Sequence, residues 1–412
     1  MEPEVAVALL TGGADQPYAF GLATALMAKG IRQDIIAGDE LESPVFHGNP
    51  LVSFLNLRGD TRPGVSAAAK IARVLLYYVR LLRYALTAEP KIFHILWNNK
   101  FETFDRTVLM LYYRLLRKRI VLTVHNVNAG IRDGSDSWLN RFTLRFQYRI
   151  ADQIFVHTER MKTELTRDFG VRDEAVNVIP FGINNATPQT GITREQARER
   201  LGVQGGARAL LFFGNIIPYK GLEYLVAAFE LLAAARSDYQ LIIAGRPRGA
   251  EEYWSGIQQK IARDIETGRV IQAIKFVPDS ETELYFTAAD VLVLPYTEIF
   301  QSGVLFLGYS FGLPVLAADV GSMRDDIVEG ETGFVFAKQD PADLARAIDA
   351  YFSSDLYKSL GARRRDIRDY ASERYSWEKV SAITGSVYRK LLGRRTWTDA
   401  LVEGDARMTG QR

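Results

Sequence analysis

The sequence predicts an α/β protein made of two doubly wound halves, each a parallel sheet wrapped by helices. Short apolar runs alternate with amphipathic segments, which is the pattern of parallel strands joined by helices. The pattern starts again after a polar stretch, 184–193, that has the composition of a linker. A length of 412 residues favours two or three domains. We therefore expect domains at 1–184 and 185–376. The segment 377–412 is expected to form C-terminal helices with a frayed tail after Arg395. A return of these helices to the first domain stays open.

The elements follow in order along both halves. In the first half, a strand at 5–10 ends in Thr11-Gly12-Gly13, and an amphipathic segment at 19–29 stops at Gly30. The other strands predicted in this half are 92–96, 120–124 and 153–156. In the second half, the predicted strands are 210–213, 240–244, 274–277 and 291–294, and the chain closes with a Thr-Gly strand ending at Phe336.

Glycine-containing turns connect several of the buried strands to the helices that follow them. Such a turn places backbone N–H groups and a positive helix end against a phosphate. Lys220 stands in the first of these turns in the second half, on a turn expected to be exposed. Together these features predict a site for a diphosphate, and hence for a nucleotide-linked substrate.

Composition excludes several classes of protein. Hydrophobic residues at 47% and charged residues at 24% are those of an ordinary globular protein, and a net charge of +2 argues against a bulk polyanion partner. The absence of cysteine excludes disulfides, thiolate metal sites and a cysteine nucleophile, and four scattered histidines predict no metal site. The acidic start does not read as a signal peptide, and no uncharged run reaches ~20 residues. The expected location is the cytoplasm.

Two nucleotide-binding motifs are missing. Gly12-Gly13 is not part of a G-x-G-x-x-G pattern, because the next glycine is Gly21. No G-x-x-x-x-G-K-[ST] sequence occurs, and Asp325-Asp326 are adjacent rather than spaced as in an Asp-x-Asp metal motif. A nicotinamide-dependent oxidoreductase and a P-loop nucleotidase are therefore disfavoured.

Several pieces of the chain occur in the order of a known family. In the second half they are 214–221, 288–295, 312–315, 330–334 and 340–347, and in the first half 11–13, 123–125 and 178–182. The chain resembles family 4 glycosyltransferases (glycosyl transferases group 1), which have the GT-B fold. The resemblance implies two Rossmann-like domains with a cleft between them. It covers nearly the whole chain and is more specific in the second half.

The resemblance assigns roles residue by residue. Lys220 would contact the donor diphosphate, for which a lysine ammonium is a compact donor. Ser302, Gly303 and Val304 open a helix facing the donor phosphates and sugar, with Ser302 as a good N-cap residue. His125 would lie beside the donor sugar, where an imidazole can donate to a hydroxyl or help a proton move near neutral pH. The remaining predicted donor-binding residues are Gly12, Gly13, Gly214, Asn215 and Arg246.

The chain departs from the family at three positions. Asn215 stands where the family has an arginine five residues before the lysine, so Arg246 is a candidate substitute cation. The family's two glutamates, eight positions apart, are replaced by Ile299 and Leu307. Glu298 is one residue early and is the candidate sugar contact. No nearby residue is an obvious replacement for the second glutamate, since Tyr309 is two residues further on. With His125 and Lys220, Glu298 completes the predicted catalytic set. His94 is expected to be buried structure, and His157 has no assigned role.

Three segments of the first half combine arginine with aromatic and aliphatic residues: 67–86, 108–119 and 138–149. This composition suits an anionic membrane surface. The alternative is a set of sheet-packing helices with basic outer faces. No nucleic-acid motif accompanies the charge, so no nucleic-acid partner is predicted. The predicted membrane contacts are Arg73, Arg80, Arg83, Arg114, Arg117 and Lys118.

The predicted function is transfer of a hexose from a nucleoside diphosphate sugar to a hydroxyl of a lipid-linked or polysaccharide acceptor. Such an enzyme would act in cell-surface polysaccharide synthesis, on the inner face of the cell membrane. The resemblance implies no metal, no cofactor beyond the donor substrate, and retention of stereochemistry; inversion stays open. Two alternatives also stay open: a non-catalytic nucleotide-sugar-binding partner subunit, and a nucleotide-sugar epimerase of the same fold.

Overall fold

A computed structural model describes residues 5–13, 15–59, 66–132, 134–183, 187 and 190–393. The chain divides into two compact units. The first unit is Met1–Gly182 with Ser376–Arg412, and the second is Ile183–Tyr375. The predicted boundary residue Asn184 and the predicted tail after Arg395 lie outside the described residues.

The first unit is built on a seven-stranded parallel sheet with the order β3-β2-β1-β4-β5-β6-β7. Its strands are β1 (Ala6–Leu10), β2 (Arg32–Ala37), β3 (Val52–Asn56), β4 (Ile92–Ile95), β5 (Arg119–Thr123), β6 (Gln153–Val156) and β7 (Val176–Val178). Ile95 pairs with Leu122, and Thr123 pairs with Phe155. The carboxyl ends of β4, β5 and β6 therefore lie side by side, which is where open α/β sheets bind ligands.

Helices connect these strands. They are α1 (Gln16–Ala28), α2 (Ala67–Thr87), α3 (Glu102–Phe104), α4 (Met110–Leu115), α5 (Ala129–Arg132), α6 (Trp138–Ile150) and α7 (Glu159–Phe169), with a π-helical turn at Asp105–Leu109 and 3-10 turns at Asp39–Leu41 and Asp173–Ala175. Helix α7 shows why they begin and end where they do. Thr158 accepts a hydrogen bond from the Met161 N–H, and Gly170 ends the helix at φ 68°.

The second unit is built on a six-stranded parallel sheet with the order β10-β9-β8-β11-β12-β13. Its strands are β8 (Arg208–Phe213), β9 (Tyr239–Ala244), β10 (Val270–Ala273), β11 (Val291–Leu294), β12 (Val315–Ala318) and β13 (Gly333–Phe336). The predicted strand at 274–277 is wrong, because β10 lies four residues earlier. As an edge strand, β10 takes its register from β9, with Val270 opposite Leu241, whereas Phe276 is exposed in the following loop.

The helices of the second unit are α8 (Arg194–Leu201), α9 (Leu222–Ala235), α10 (Glu251–Lys260), α11 (Ala262–Glu266), α12 (Asp279–Ala288), α13 (Gly303–Ser310), α14 (Pro341–Ser353), α15 (Asp355–Lys358) and α16 (Leu360–Arg374), with 3-10 turns at Pro218–Lys220 and Met323–Asp326. A buried carboxylate, Asp290, ties α8 to the start of the sheet. It accepts from Arg194 (2.5 Å), Arg198 (2.6 Å) and the Ala209 N–H (2.9 Å).

The last described helix, α17 (Trp377–Leu391), belongs to the first unit and packs against α1. The Trp377 indole lies directly against the Cα atoms of Gly21 and Gly182, where any larger residue would collide with the ring. Within the part of the chain that the structure describes, no helix has both the length and the apolar character of a membrane span.

Candidate functional site

The turn after β8 begins at Gly214, which has a φ of +105°. A Cβ atom at this position would lie 2.8 Å from the Nζ of Lys220 and 3.8 Å from Cγ2 of Val304. The absence of a side chain therefore lets the ends of three segments, 214–216, 218–220 and α13, approach one another. The predicted donor-binding residues Gly214, Lys220 and Val304 are brought together.

Lys220 ends a 3-10 turn just before α9, and only 7% of it is exposed. The expectation of an exposed lysine is wrong, because the side chain lies across Tyr296, with Nζ 5.3 Å from the ring centroid. Burial lowers the pKa of Lys220 to about 8. Among the described residues no carboxylate lies within 4.0 Å of this ammonium. A buried charge without a counter-charge is costly, so this position favours an anionic ligand.

Ser302 occupies the N-cap position of α13, as predicted, but its side chain does not cap the helix. Its buried Oγ instead lies 3.5 Å from the hydroxyl of Tyr296. Tyr296 thus contacts both the Lys220 turn and the α13 turn, and the sequence analysis missed it. Tyr296 could have been found from its position, because it follows β11 and Pro295 directly, at the carboxyl end of a strand. Gly303, the first residue of α13, is exposed.

The turns after β8 and β9 run side by side. The Gly214 N–H donates to the Ala244 carbonyl (2.9 Å), and the Ile216 N–H donates to the Arg246 carbonyl (2.8 Å). Arg246 therefore stands beside the segment that contains Asn215. Its exposed guanidinium lies over the ring of Phe276, 5.2 Å from the centroid. The contacts of Asn215 and Arg246 with a donor stay predictions.

Glu298 is exposed in the loop after β11. This loop is joined to the lysine turn, because the Thr297 N–H donates to the Tyr219 carbonyl over 2.8 Å. Tyr309 does not replace the missing second glutamate. It is fully buried, and its hydroxyl donates to the Asp326 carbonyl (2.8 Å) and is hydrogen-bonded to Oγ1 of Thr332 (2.9 Å).

A buried carboxyl anchors the segment before Ser302. The Gln301 amide donates to Oδ2 of Asp326 (3.1 Å), and the Tyr375 hydroxyl donates to Oδ1 (2.9 Å). Oγ of Ser322 donates to the Phe300 carbonyl over 2.8 Å. Burial raises the pKa of Asp326 to about 6. The sequence analysis missed this anchor because the partners are 25 and 49 residues from Asp326 along the chain.

In the first unit, Gly12 and Gly13 form the turn after β1, with φ of 65° and 74°. Gly12 lies against the backbone of Trp97, and Gly13 lies directly against the guanidinium of Arg58. Arg58 is a cation that the sequence analysis missed. Its Nη2 donates to Oδ1 of Asn99 (3.0 Å), which fixes the guanidinium beside the glycine turn.

His125 follows β5 and is enclosed by aromatic rings. Trp97 stacks on it at 4.1 Å between ring centroids and 0° between planes, and Tyr18 meets it edge-on at 4.6 Å. Its Nδ1 lies 3.1 Å from Nε2 of His157. Burial, with the nearby His157 and His94, lowers the pKa of His125 well below the usual value. His125 is therefore neutral at pH 7 in the free protein. Its predicted place beside the donor sugar and its part in catalysis stay predictions.

His94 is buried structure, as predicted. Its Nδ1 lies 2.6 Å from the Tyr388 hydroxyl on α17, and its Nε2 lies 2.7 Å from Oγ1 of Thr123. Burial lowers the pKa of His94 to about 3. Among the described residues, no group of three or more His, Asp or Glu side chains is placed to hold a metal ion.

The aromatic residues of α2 face inward. The hydroxyls of Tyr77, Tyr78 and Tyr84 bond to Asn99, Asp105 and Asp34. Aliphatic side chains are exposed instead. Helix α2 adjoins α4, because the Tyr112 hydroxyl donates to the Leu82 carbonyl (3.0 Å), and Arg106 joins the π-helical turn to α6 by donating to Asn140 (2.8 Å). The exposed apolar residues of these three segments, here called the apolar face, are Ile71, Leu75, Leu76, Val79, Leu86, Val108, Leu111, Leu115, Trp138, Leu139 and Phe142.

The six predicted membrane contacts divide into two groups. Arg80, Arg83 and Arg117 are exposed, and Arg73 is half-buried. Lys118 is only 8% exposed and donates to the carbonyls of Ala88 (2.6 Å) and Pro90 (3.0 Å), and Arg114 pairs with Asp152 at 2.9 Å. The expectation of a lipid contact is wrong for Lys118, because its ammonium is buried on two carbonyls. The contacts of Arg114 and of the exposed arginines with lipid stay predictions.

Two family models match the chain. The model described as "Glycosyltransferase Family 4" matches residues 13–186, and the model described as "Glycosyl transferases group 1" matches residues 193–374. The chain belongs to the family 4 glycosyltransferases. The GT-B fold is confirmed, with two parallel-sheet Rossmann-like domains.

Curated relatives agree with this assignment. The chain is 30% identical over 249 residues to a D-inositol 3-phosphate glycosyltransferase of Streptomyces bingchenggensis, covering 59% of this chain and 53% of that protein. A protein of the same name from Geodermatophilus obscurus is 32% identical over 237 residues, covering 56% and 50%. The chain thus matches about half the length of these relatives.

Among solved structures, a sucrose-phosphate synthase from Thermosynechococcus elongatus has a TM-score of 0.74 at 19% identity, covering 95% of this chain and 100% of that one. The Anabaena protein HepE, solved with UDP and glucose, has a TM-score of 0.70 at 18% identity, covering 94% and 100%. At these identities the likeness shows the fold alone.

Proposed function

We propose that this glycosyltransferase moves a hexose from a nucleoside diphosphate sugar to a hydroxyl of a lipid-linked or polysaccharide acceptor, in cell-surface polysaccharide synthesis. The observation that carries the proposal is the buried ammonium of Lys220, which lies against the glycine turn at Gly214. Among the described residues no carboxylate pairs with it. A diphosphate supplies the missing negative charge. The names of the relatives support a sugar-transfer reaction, and the structure of HepE with UDP and glucose makes UDP-glucose the first donor to test.

Each residue of the proposed site has one task. Lys220 stabilises the charge that develops on the departing diphosphate, and Ser302, Gly303 and the N-terminus of α13 add the positive end of a helix. Glu298 accepts hydrogen bonds from hydroxyls of the sugar. Gly12, Gly13 and His125 belong to the first unit, and the proposal gives each of them a contact with the donor. The reaction needs no metal and no cofactor beyond the donor, and it retains stereochemistry.

The proposed acceptor is presented at an anionic membrane, on the inner face of the cell membrane. The apolar face supports this, because Leu115 and Trp138 are 81% and 78% exposed, and Leu75, Leu76 and Val79 of α2 are exposed as well. Helices α2 and α6 contain no Asp or Glu but carry Lys70, Arg73, Arg80 and Arg83, and Arg141, Arg145 and Arg149. Exposed apolar residues and basic residues on the same helices match the chemistry of anionic lipid.

The experiment that tests the function is transfer from labelled UDP-, GDP- and ADP-hexoses to a bacterial lipid extract and to bacterial polysaccharide. We expect label to enter one acceptor fraction from one donor, with release of the nucleoside diphosphate. Lys220→Met should abolish most of the transfer, whereas Lys260→Met, a change at an exposed lysine of α10, should not. Donor binding without transfer would favour a partner subunit, and a change of the sugar's configuration without an acceptor would favour an epimerase.

A further inference from the structure

The carboxyl ends of three neighbouring strands bring two histidines and a tryptophan together. Trp97 follows β4, His125 follows β5, and His157 directly follows β6. The His157 ring is almost fully buried, and Phe181 packs edge-on against it at 4.9 Å between ring centroids. Trp97 holds the plane of the His125 ring by stacking on it. The hydrogen bond between the two histidine rings therefore has a fixed geometry.

The position of the proton on His157 follows from its backbone partner. Its Nδ1 lies 3.4 Å from the carbonyl oxygen of Ile179, and a carbonyl oxygen can only accept. The proton of a neutral His157 is therefore on Nδ1. Burial lowers the pKa of this ring to about 4, so the ring is neutral at pH 7. Its Nε2 then carries a lone pair.

The same reasoning fixes His125. Because Nε2 of His157 is an acceptor, the Nδ1 of His125 that lies 3.1 Å away must be the donor. A neutral His125 protonated at Nδ1 keeps a lone pair on Nε2. Among the described residues this Nε2 atom has no hydrogen-bond partner, and it is closed from solvent in this structure. An unsatisfied buried acceptor costs roughly 1–3 kcal/mol, and such atoms in native proteins call for an explanation.

We propose that His157 is a positioning residue that holds His125 as its Nδ1-protonated tautomer, so that Nε2 of His125 accepts a hydrogen bond from a substrate hydroxyl. This role rests on the proposed function, because it takes the substrate to be a sugar. The other groups that face this pair are His94 on β4, Tyr18 on α1 and, near Tyr18, Asp15. None is a carboxylate bonded to either imidazole. The backbone partners of His157, at Ile179 and Pro180, are carbonyl acceptors, so they set the direction of both protons.

The tautomers are measurable without substrate. In two-bond ¹H–¹⁵N spectra of the ¹⁵N-histidine-labelled full chain at pH 7.5, only four histidines contribute, and single His→Gln variants assign them. We expect His125 to show a protonated Nδ1 and an unprotonated Nε2. His157→Gln, whose side-chain oxygen accepts, should preserve that tautomer, whereas His157→Phe should release it. An Nε2-protonated His125 in the wild type, or an unchanged tautomer in His157→Phe, would overturn the proposal.

The kinetics of sugar transfer then test whether His157 positions His125 for its hydrogen bond with the sugar. With the donor found active, His157→Phe should lower kcat at least tenfold with little change in the affinity for the bare nucleotide, and His157→Gln should restore most of it. Equal losses in both variants would indicate a purely structural role for His157. If no donor supports transfer but the tautomer behaves as expected, the proposed function fails while the assignment of the protons stands.

Discussion

The Nζ atom of Lys220 lies 2.8 Å from the point that a Cβ atom would occupy at Gly214. The ammonium is thus held against a backbone turn at the end of β8, with the ring of Tyr296 beneath it. This arrangement buries the charge where the unfolded chain would leave it in water. The cost is removed when an anion binds, which links stability, pH and ligand affinity at one residue.

The first prediction concerns stability without ligand. Lys220→Met removes the buried charge and keeps most of the side-chain volume, so the apparent Tm of the ligand-free protein should rise. A pKa displaced from 10.5 to about 8 corresponds to a gain on the order of 3 kcal/mol at neutral pH. Differential scanning calorimetry of wild type, Lys220→Met and the exposed-site control Lys260→Met measures this. A lower Tm for Lys220→Met alone would show that the charge is compensated in the free protein.

The second prediction concerns pH. Because the pKa of Lys220 in the free protein is about 8, the ammonium begins to lose its proton above that pH, and a bound diphosphate raises the pKa again. Affinity for a nucleoside diphosphate should therefore be constant from pH 7 to about 8 and fall up to tenfold per pH unit above it. The terminal phosphate ionises near pH 6 and does not contribute. Lys220→Arg, which stays charged, should flatten the profile; a flat profile in the wild type contradicts the assignment.

The third prediction concerns Glu298. If its carboxylate contacts the sugar, Glu298→Gln should reduce turnover by roughly 10- to 150-fold, the range for one charged hydrogen bond, and leave the affinity for the bare nucleotide unchanged. Steady-state kinetics and calorimetric titration separate the two effects. Glu331→Gln, at another exposed carboxylate of the second unit, is the matched control. Equal losses for sugar donor and bare nucleotide would point to damage of the 297–302 loop instead.

The fourth prediction concerns the apolar face. Vesicle sedimentation should show binding that rises with anionic lipid content and falls with salt, because each basic residue near such a surface contributes about 1 kcal/mol and is screened. Changing the exposed Arg80, Arg83 and Arg117 together to Glu should abolish it. The matched control changes three exposed basic residues of the second unit, Lys260, Arg263 and Arg365, to Glu.

Two outcomes would contradict the membrane proposal. One is a wild-type protein that ignores anionic vesicles at low salt. The other is equal loss of binding in the two triple variants, which would indicate a response to net charge alone. A separate change of Leu75, Val79 and Leu115 to Ser tests the apolar contribution, which salt should not affect.

The sequence predicted elements whose signal is local. Most buried strands and the glycine turns were recognisable because apolar runs end at Gly13, Gly214 or Gly245. Strand β2 was not assigned, because Arg32-Gln33-Asp34 looks polar. In the folded protein Gln33 is buried and donates to the Ala23 carbonyl (2.6 Å), and Asp34 accepts from the Tyr84 hydroxyl (2.7 Å). Partners distant in sequence make these polar residues compatible with a strand that is paired on both sides.

The site was predicted only in part for the same reason. The sequence predicts that Lys220 and Ser302 lie on turns. Their burial depends on Tyr296, which is 76 residues from Lys220 and 6 residues from Ser302. The neutral state of His125 depends on its burial and on the nearby His157 and His94. His157 and the stacked ring of Trp97 meet His125 only because β4, β5 and β6 are neighbours. Arg58 follows β3 and Gly13 follows β1, so the two residues meet only in the folded sheet, and no local sequence pattern predicts their contact.

The most direct test of the account is calorimetric titration of UDP, GDP and ADP into the wild-type protein, Lys220→Met and Lys260→Met at pH 7.5. The account predicts that at least one nucleoside diphosphate binds the wild type and the Lys260 control equally. It also predicts that binding to Lys220→Met is weaker by roughly 10- to 150-fold, the loss expected for one charge-assisted hydrogen bond. Equal affinity for all three proteins, or no binding of any diphosphate to the wild type, would contradict it.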